Sequence, residues 1–174
     1  PVASISTVSV VAPVGVLAPQ ATWEADFRFA QTLASEFGAL AFAPLGTTSF
    51  VTETIAGREC HVLSFAKGGG LQMTGLTSTV AANDYSLALY FRFDDTAGWR
   101  RVVDLRANTT DNGLYSHNGI LKFFPDAVAG ITATIPVSDY VNLVLTRNGA
   151  DGVTRGYVGG AQQFVQEHAH EIPV

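Results

Sequence analysis

Between Tyr85 and Phe93 the chain alternates strictly. Leu87, Leu89, Phe91 and Phe93 fall on one side, and Ser86, Ala88, Tyr90 and Arg92 on the other. A period of two marks a half-buried strand, because successive side chains leave a pleated backbone on opposite faces. Shorter runs of the same kind recur along the chain. Trp23, Ala25, Phe27 and Phe29 alternate with Glu24, Asp26 and Arg28. Thr47–Thr54 and Cys60–Phe65 flank the turn residues Ala56-Gly57-Arg58, and Gly68-Gly69-Gly70 leads into Leu71–Met73. Arg100–Leu105, Leu114–His117 and Leu121–Phe124 are set apart by turns rich in Asn and Gly. Tyr140–Thr146 and Thr154–Val158 flank Arg147-Asn148-Gly149-Ala150-Asp151-Gly152, a hairpin signal, and Gly159-Gly160 precedes Gln162–Val165. Ala30 to Phe37 reads either as one helical turn or as an ordered loop, closed by Gly38. Many short strands with regular turns and no long amphipathic helix predict an all-β sandwich or jelly roll. The lack of strand–helix alternation argues against a parallel doubly wound sheet.

A chain of 174 residues is long enough to bury one core without covalent staples. Hydrophobic residues make up 47% and charged residues 14%, the reverse of a disordered composition. The net charge of −5 comes with no basic run, so counterion release has no visible source to drive nucleic-acid binding, and the same balance argues against anionic membranes as partners. No stretch reaches the roughly 20 apolar residues of a membrane span. The single cysteine, Cys60, has no intrachain partner, and its neighbour His61 points the other way on a strand. It reads as a small core residue. A start at Pro1 with no initiator Met and no basic n-region reads as a mature or trimmed chain whose export signal, if any, has gone.

Residues 1–20 stand apart from residues 21–174. They hold no charged side chain and alternate from Val2 to Val11 before Pro13 and Pro19 interrupt. An apolar arm (Val2, Ile5, Val8, Val10, Val11, Val14, Val16, Leu17) would be sticky if left free in water. It is expected to pair with a sheet, either its own or a neighbour's.

Four segments resemble the laminin-G-like, concanavalin A-like jelly-roll domains of bacterial extracellular proteins, including those with a PEP-CTERM sorting tag. They are Tyr85–Asp94; Gly98–Leu105; Asp111–Tyr115 with Asn118–Phe124; and Tyr140–Arg147 with Gly156–Gly160. Their order and spacing fit from about Trp23 to Phe164. The resemblance implies an antiparallel β-sandwich jelly roll, secreted or held at the cell surface. Two features depart from it. Gly159 stands where such domains carry a turn Asp, and such domains continue past the strand matching Gln162–Val165 with closing strands, whereas this chain ends at Val174. The apolar arm and the missing closing strands can answer each other, within one subunit or by donor-strand complementation between subunits. The second route builds filaments or rings.

Catalytic patterns are lacking. The laminarinase-type glycosidases of this fold carry two Glu around an Asp on one strand. The nearest match, Glu24-Ala25-Asp26, runs on into Phe27, Arg28 and Phe29 without the second Glu. No Gly-x-Ser-x-Gly elbow occurs, and Gly68-Gly69-Gly70 has no following Lys to make a phosphate cradle. No cofactor is required on this reading. Calcium is the metal that such domains often hold, and Asp94, Asp95, Asp111 and Asn112 are its candidate oxygen ligands; the same residues also suit ordinary Asx turns, in which they cap their own backbone. Glu167-His168-Ala169-His170-Glu171 offers two imidazoles, half of a closed zinc site.

Sugar binding needs an aromatic platform with polar hydrogen-bonders beside it. Trp99 and Tyr115, next to polar loops, are the candidates, with Asn118 as a polar partner; Trp99 fits a packed or an exposed role equally. Three functions therefore stand in order. The first is an extracellular structural subunit that self-associates through strand complementation by the arm. The second is a carbohydrate- or matrix-binding module, with or without calcium. The third, a glycoside-active enzyme, is disfavoured by the missing acid pair.

Overall fold

The computed structural model describes the backbone of residues 2–10 and, with side chains, residues 25–36, 40–74, 84–106, 109–124 and 133–167. Every named element among them is a strand, and every pairing between strands is antiparallel. The strands are β1 (Val2–Val10), β2 (Ala25–Phe27), β3 (Ala41–Leu45), β4 (Thr48–Ile55), β5 (Arg58–Ala66), β6 (Gly70–Thr74) and β7 (Tyr85–Phe93). They continue as β8 (Trp99–Asp104), β9 (Gly113–His117), β10 (Ile120–Phe124), β11 (Val141–Asn148), β12 (Val153–Val158) and β13 (Ala161–Glu167).

The large sheet runs β13-β12-β11-β7-β1-β5-β4, with β2 also joined to β1. A second sheet is β10-β9-β8, and β3 pairs with β6. The N-terminal arm thus forms an inner strand of its own chain's sheet. One edge of β1 pairs with β7 from Ala3↔Phe93 to Val10↔Leu87. The other edge is shared, with Val2–Ile5 on β5 and Val8–Val10 on β2. Of the arm residues singled out above, Val2, Ile5, Val8 and Val10 lie in β1; Val11, Val14, Val16 and Leu17 lie outside the described residues.

The alternation along β7 fixes which face is buried. Tyr85, Leu89, Phe91 and Phe93 are buried, as are Leu143 and Leu145 beside them on β11. Leu114, Leu121 and Phe123 of the second sheet have no exposure and join the same core. Phe123 meets Phe164 of β13 with centroids 5.4 Å apart, which ties the two sheets together. Each fully buried side chain of this size contributes about 1.5–3 kcal/mol of transfer free energy. Phe164 in turn rests on Gly156, where an added Cβ would lie 2.1 Å from its ring.

Two segments differ from the sequence expectation. Trp23–Phe29 yields only Ala25–Phe27 as strand among the described residues, because Phe29 takes φ 51° and turns the chain. Residues 30–36 then form a loop and no helical turn: Gln31 N–H donates to Phe29 O at 2.8 Å, and Ser35 Oγ accepts from Asp26 N–H at 2.9 Å. The strand β3 was not expected. It contains Pro44, which lacks a ladder donor and suits an edge position. Cys60 is half-buried on β5 and its neighbour His61 is exposed, as alternation requires.

Candidate functional site: the outer face of the second sheet

The hairpin β9–β10 closes through Asn118-Gly119, with φ of 51° and 82°. Positive φ at both central residues is the two-residue turn whose twist matches paired strands, and Asn-Gly is its preferred sequence. This turn sets the register Trp99↔His117↔Ile120 and Arg101↔Tyr115↔Lys122. A bulge on β8 between Arg101 and Val103 then brings Asp104 opposite Gly113, which pairs with Phe124. Paired residues share a face. The inward rows, Arg100↔Ser116↔Leu121 and Val103↔Leu114↔Phe123, feed the core. The outward rows gather aromatic and charged groups on one surface.

Trp99 is 50% exposed. It stacks on His117 with centroids 4.4 Å apart and an interplanar angle of 18°. Tyr115 and Phe124 meet it edge to face, at 6.4 and 5.5 Å, and contact each other at 5.4 Å and 78°. Tyr115 is nearly covered, because the Arg101 guanidinium sits over its ring at 5.5 Å. Arg101 also bridges two carboxylates, Asp104 Oδ2 and Asp111 Oδ1, each at 3.2 Å. The Tyr115 hydroxyl donates to Asp111 Oδ1 at 3.1 Å. Burial opposes the Arg101 charge, but Tyr115, Asp104 and Asp111 outweigh it and hold the guanidinium above its ordinary value. Burial raises the Tyr115 hydroxyl, against the opposing pull of Arg101. Trp99, Arg101, Asp111, Tyr115 and Phe124 together line an open depression of about 400 Å³.

Of the expected sugar contacts, Trp99 and Tyr115 come together here. Asn118 does not line the depression. Its side chain accepts from Gly98 N–H at 2.7 Å and its own N–H donates to Gly98 O at 3.0 Å, so it fixes the turn. His117, Phe124 and Arg101 were missed by sequence reasoning. The signal was present in the Asn118-Gly119 turn, since counting outward from it pairs His117 with Ile120 and Tyr115 with Lys122.

The candidate calcium ligands are spread along β8. Asp94 and Asp95 lie at its Trp99 end. Asp94 pairs with Arg92 at 3.1 Å, and Asp95 with Arg100 at 2.7 Å. The Asp95 carboxyl is held below its ordinary value, first by the Ala97 N–H and, against the opposing pull of desolvation, by Arg100. Asp111 and Asn112 lie at the other end, next to Gly113. Among the described residues no group of three or more His, Cys, Asp or Glu is placed to hold a metal ion. His168 and His170 lie outside the described residues. Of the Glu24/Asp26 pair, Asp26 is bound to Arg28 at 3.0 Å and Glu24 lies outside the described residues.

Comparison with protein-family models, with curated proteins and with solved structures finds no match to the chain, so the laminin-G-like resemblance rests on the sequence motifs alone.

Proposed function

We propose that the chain is a jelly-roll binding module of the laminin-G-like, concanavalin A-like kind, working outside the cytoplasm, that captures a glycan on the Trp99 face. The observation that carries this reading is the half-exposed Trp99 ring, braced by His117, beside the Arg101–Asp111 pair. A sugar ring has an apolar C–H face and a rim of hydroxyls. It therefore fits an aromatic surface flanked by a donor and an acceptor. The depression is open, which suits a chain segment laid across it better than an enclosed small molecule. Binding is favoured over catalysis because Asp104 and Asp111 are both engaged by Arg101. Calcium, suggested by Asp94, Asp95, Asp111 and Asn112, takes no part in ligand capture on this reading, and EDTA is expected to leave binding unchanged.

The test is a glycan-binding screen followed by calorimetry on the intact chain and on Trp99→Ala. The expected result is a glycan ligand whose affinity falls about tenfold or more in the variant, since losing roughly 1.4 kcal/mol of ring contact is a factor of ten. Failure of the intact chain to retain any glycan would overturn the proposal.

A second reading is supported by the position of β1. Because β1 separates β7 from β5, the large sheet is one piece only with that strand in place. A β1 supplied by a neighbouring copy would make the same backbone pairs, so strand exchange would link subunits into a polymer. Light scattering on the intact chain and on a chain lacking residues 1–20 tests it. Large assemblies that vanish on deletion support it, and a monomeric intact chain sinks it.

A further inference from the structure

Building on the proposed glycan-binding face, we infer that its ligand is an uncharged, hydroxyl-rich sugar segment rather than an acidic or an amino sugar. The charges lining the face are already balanced. Arg101 is shared by Asp104 and Asp111, and Lys122 lies on the same row as Arg101 and Tyr115. An anionic ligand would have to compete with two carboxylates for one guanidinium. It would also meet Asp111 first, because that side chain is 67% exposed against 39% for Arg101. A cationic ligand would look for an aromatic face, yet the Tyr115 ring is already covered by the Arg101 guanidinium at 5.5 Å. The rings left to it, Trp99 and Phe124, line the same depression as that positive group.

A hydroxyl meets none of these obstacles. Among the described residues, Tyr115 and Arg101 both contact Asp111 through Oδ1. Its second oxygen can accept from a sugar hydroxyl without breaking an ion pair. A hydrogen bond to a charged acceptor is about twice as strong as a neutral one. The sugar's C–H face then lies against Trp99, and selectivity comes from like-charge penalties on either class of charged ligand.

The experiment titrates the full chain, Asp111→Asn and Trp99→Ala with panels of neutral, uronic or sulfated, and amino-sugar oligosaccharides, at low and at high salt. The expected result is binding from the neutral panel alone, with an affinity indifferent to salt, since no net charge is neutralised. Asp111→Asn is expected to weaken the neutral ligand about tenfold or more. A ligand from the uronic or sulfated panel that binds through Trp99, weakens with salt and tightens in Asp111→Asn would overturn this inference while leaving the glycan-binding reading intact. An amino-sugar ligand that loses affinity in both variants would do the same. Binding of no panel would overturn both.

Discussion

The outer face of β8–β10 and the Tyr85 end of the large sheet are built alike and finished differently. Both lay a row of polar and aromatic side chains straight across neighbouring strands. The first runs Arg101–Tyr115–Lys122; the second runs Tyr85–Arg147–Thr154–Gln166 over β7, β11, β12 and β13. The first lies at the surface, with Arg101 39% exposed, and both Arg101 and the Tyr115 hydroxyl meet carboxylates. The second is buried, with Thr154 fully so, and there the Thr154 hydroxyl and both amide atoms of Gln166 have no hydrogen-bond partner among the described residues. Arg147, in the same row, donates to Gly152 O at 2.9 Å. A polar group at the surface can be half engaged and still have water, so it remains available to a ligand. A polar group inside loses that option and costs about 1–3 kcal/mol when left alone. On the proposed glycan-binding reading, the first row stays available to a ligand, while the second carries a stability penalty.

The largest expected effect comes from breaking the scaffold under the first row. Gly113 has φ 137°, and a Cβ there would lie 2.3 Å from the carbonyl oxygen of Val103. Backbone cannot yield as a flexible side chain does. Gly113→Ala is expected to cost about 3 kcal/mol from overpacking and backbone strain together. Chemical denaturation would show it as a lower midpoint. Because Gly113 lies between Asp104 and Phe124, glycan binding should fall with it. A variant of unchanged stability would mean that the β8 bulge relaxes freely, and that the aromatic face is less rigid than its register implies.

The second row is sharpened by a change of opposite sign. Thr154→Val keeps the shape and removes the buried hydroxyl. It is expected to stabilise the fold by about 1 kcal/mol, since an unsatisfied buried group is exchanged for an apolar one. A loss of stability would show that the hydroxyl finds a partner in solution, and the two rows would then differ less than their hydrogen bonding implies. Glycan affinity should not move in either case.

The parts of this arrangement that local pattern controls were legible in the sequence. Tyr85–Phe93 was bounded correctly because its alternation is unbroken and its apolar face is buried. The turns at Asn118-Gly119 and Asn148–Gly152 announced their hairpins through residue chemistry. What pattern does not encode is partner choice. The arm was readable as a strand in need of a sheet, but not as the inner strand between β5 and β7, since that pairing joins residues more than fifty positions apart. Likewise Trp99 could be packed or exposed until the register set it beside His117 at the surface. The bulge that carries Asp104 to the outer face left no mark in composition. The finer jelly-roll assignment remains with the proposal above, because the described strands establish an all-β antiparallel fold without fixing that topology.

The smallest expected effect compares the two rows through their tyrosines. Tyr85 lies in the buried row and Tyr115 in the open one, and both hydroxyls are raised above their ordinary value. Burial is the first cause in each. It is opposed by Arg147 at Tyr85 and by Arg101 at Tyr115, and Asp111 adds to the rise at Tyr115. A raised phenol keeps its proton in the folded state after the unfolded chain, titrating near 10, has lost it. The stability these groups contribute is therefore complete below the unfolded value and is lost as the pH rises through the folded one. An alkaline titration followed by tyrosinate absorbance, repeated on Tyr85→Phe and Tyr115→Phe, should remove one late step in each case. The step lost with Tyr85 should be the later of the two, because its hydroxyl is the more deeply buried. If Tyr115 ionised at or below the ordinary phenol range, Arg101 rather than burial would dominate its surroundings.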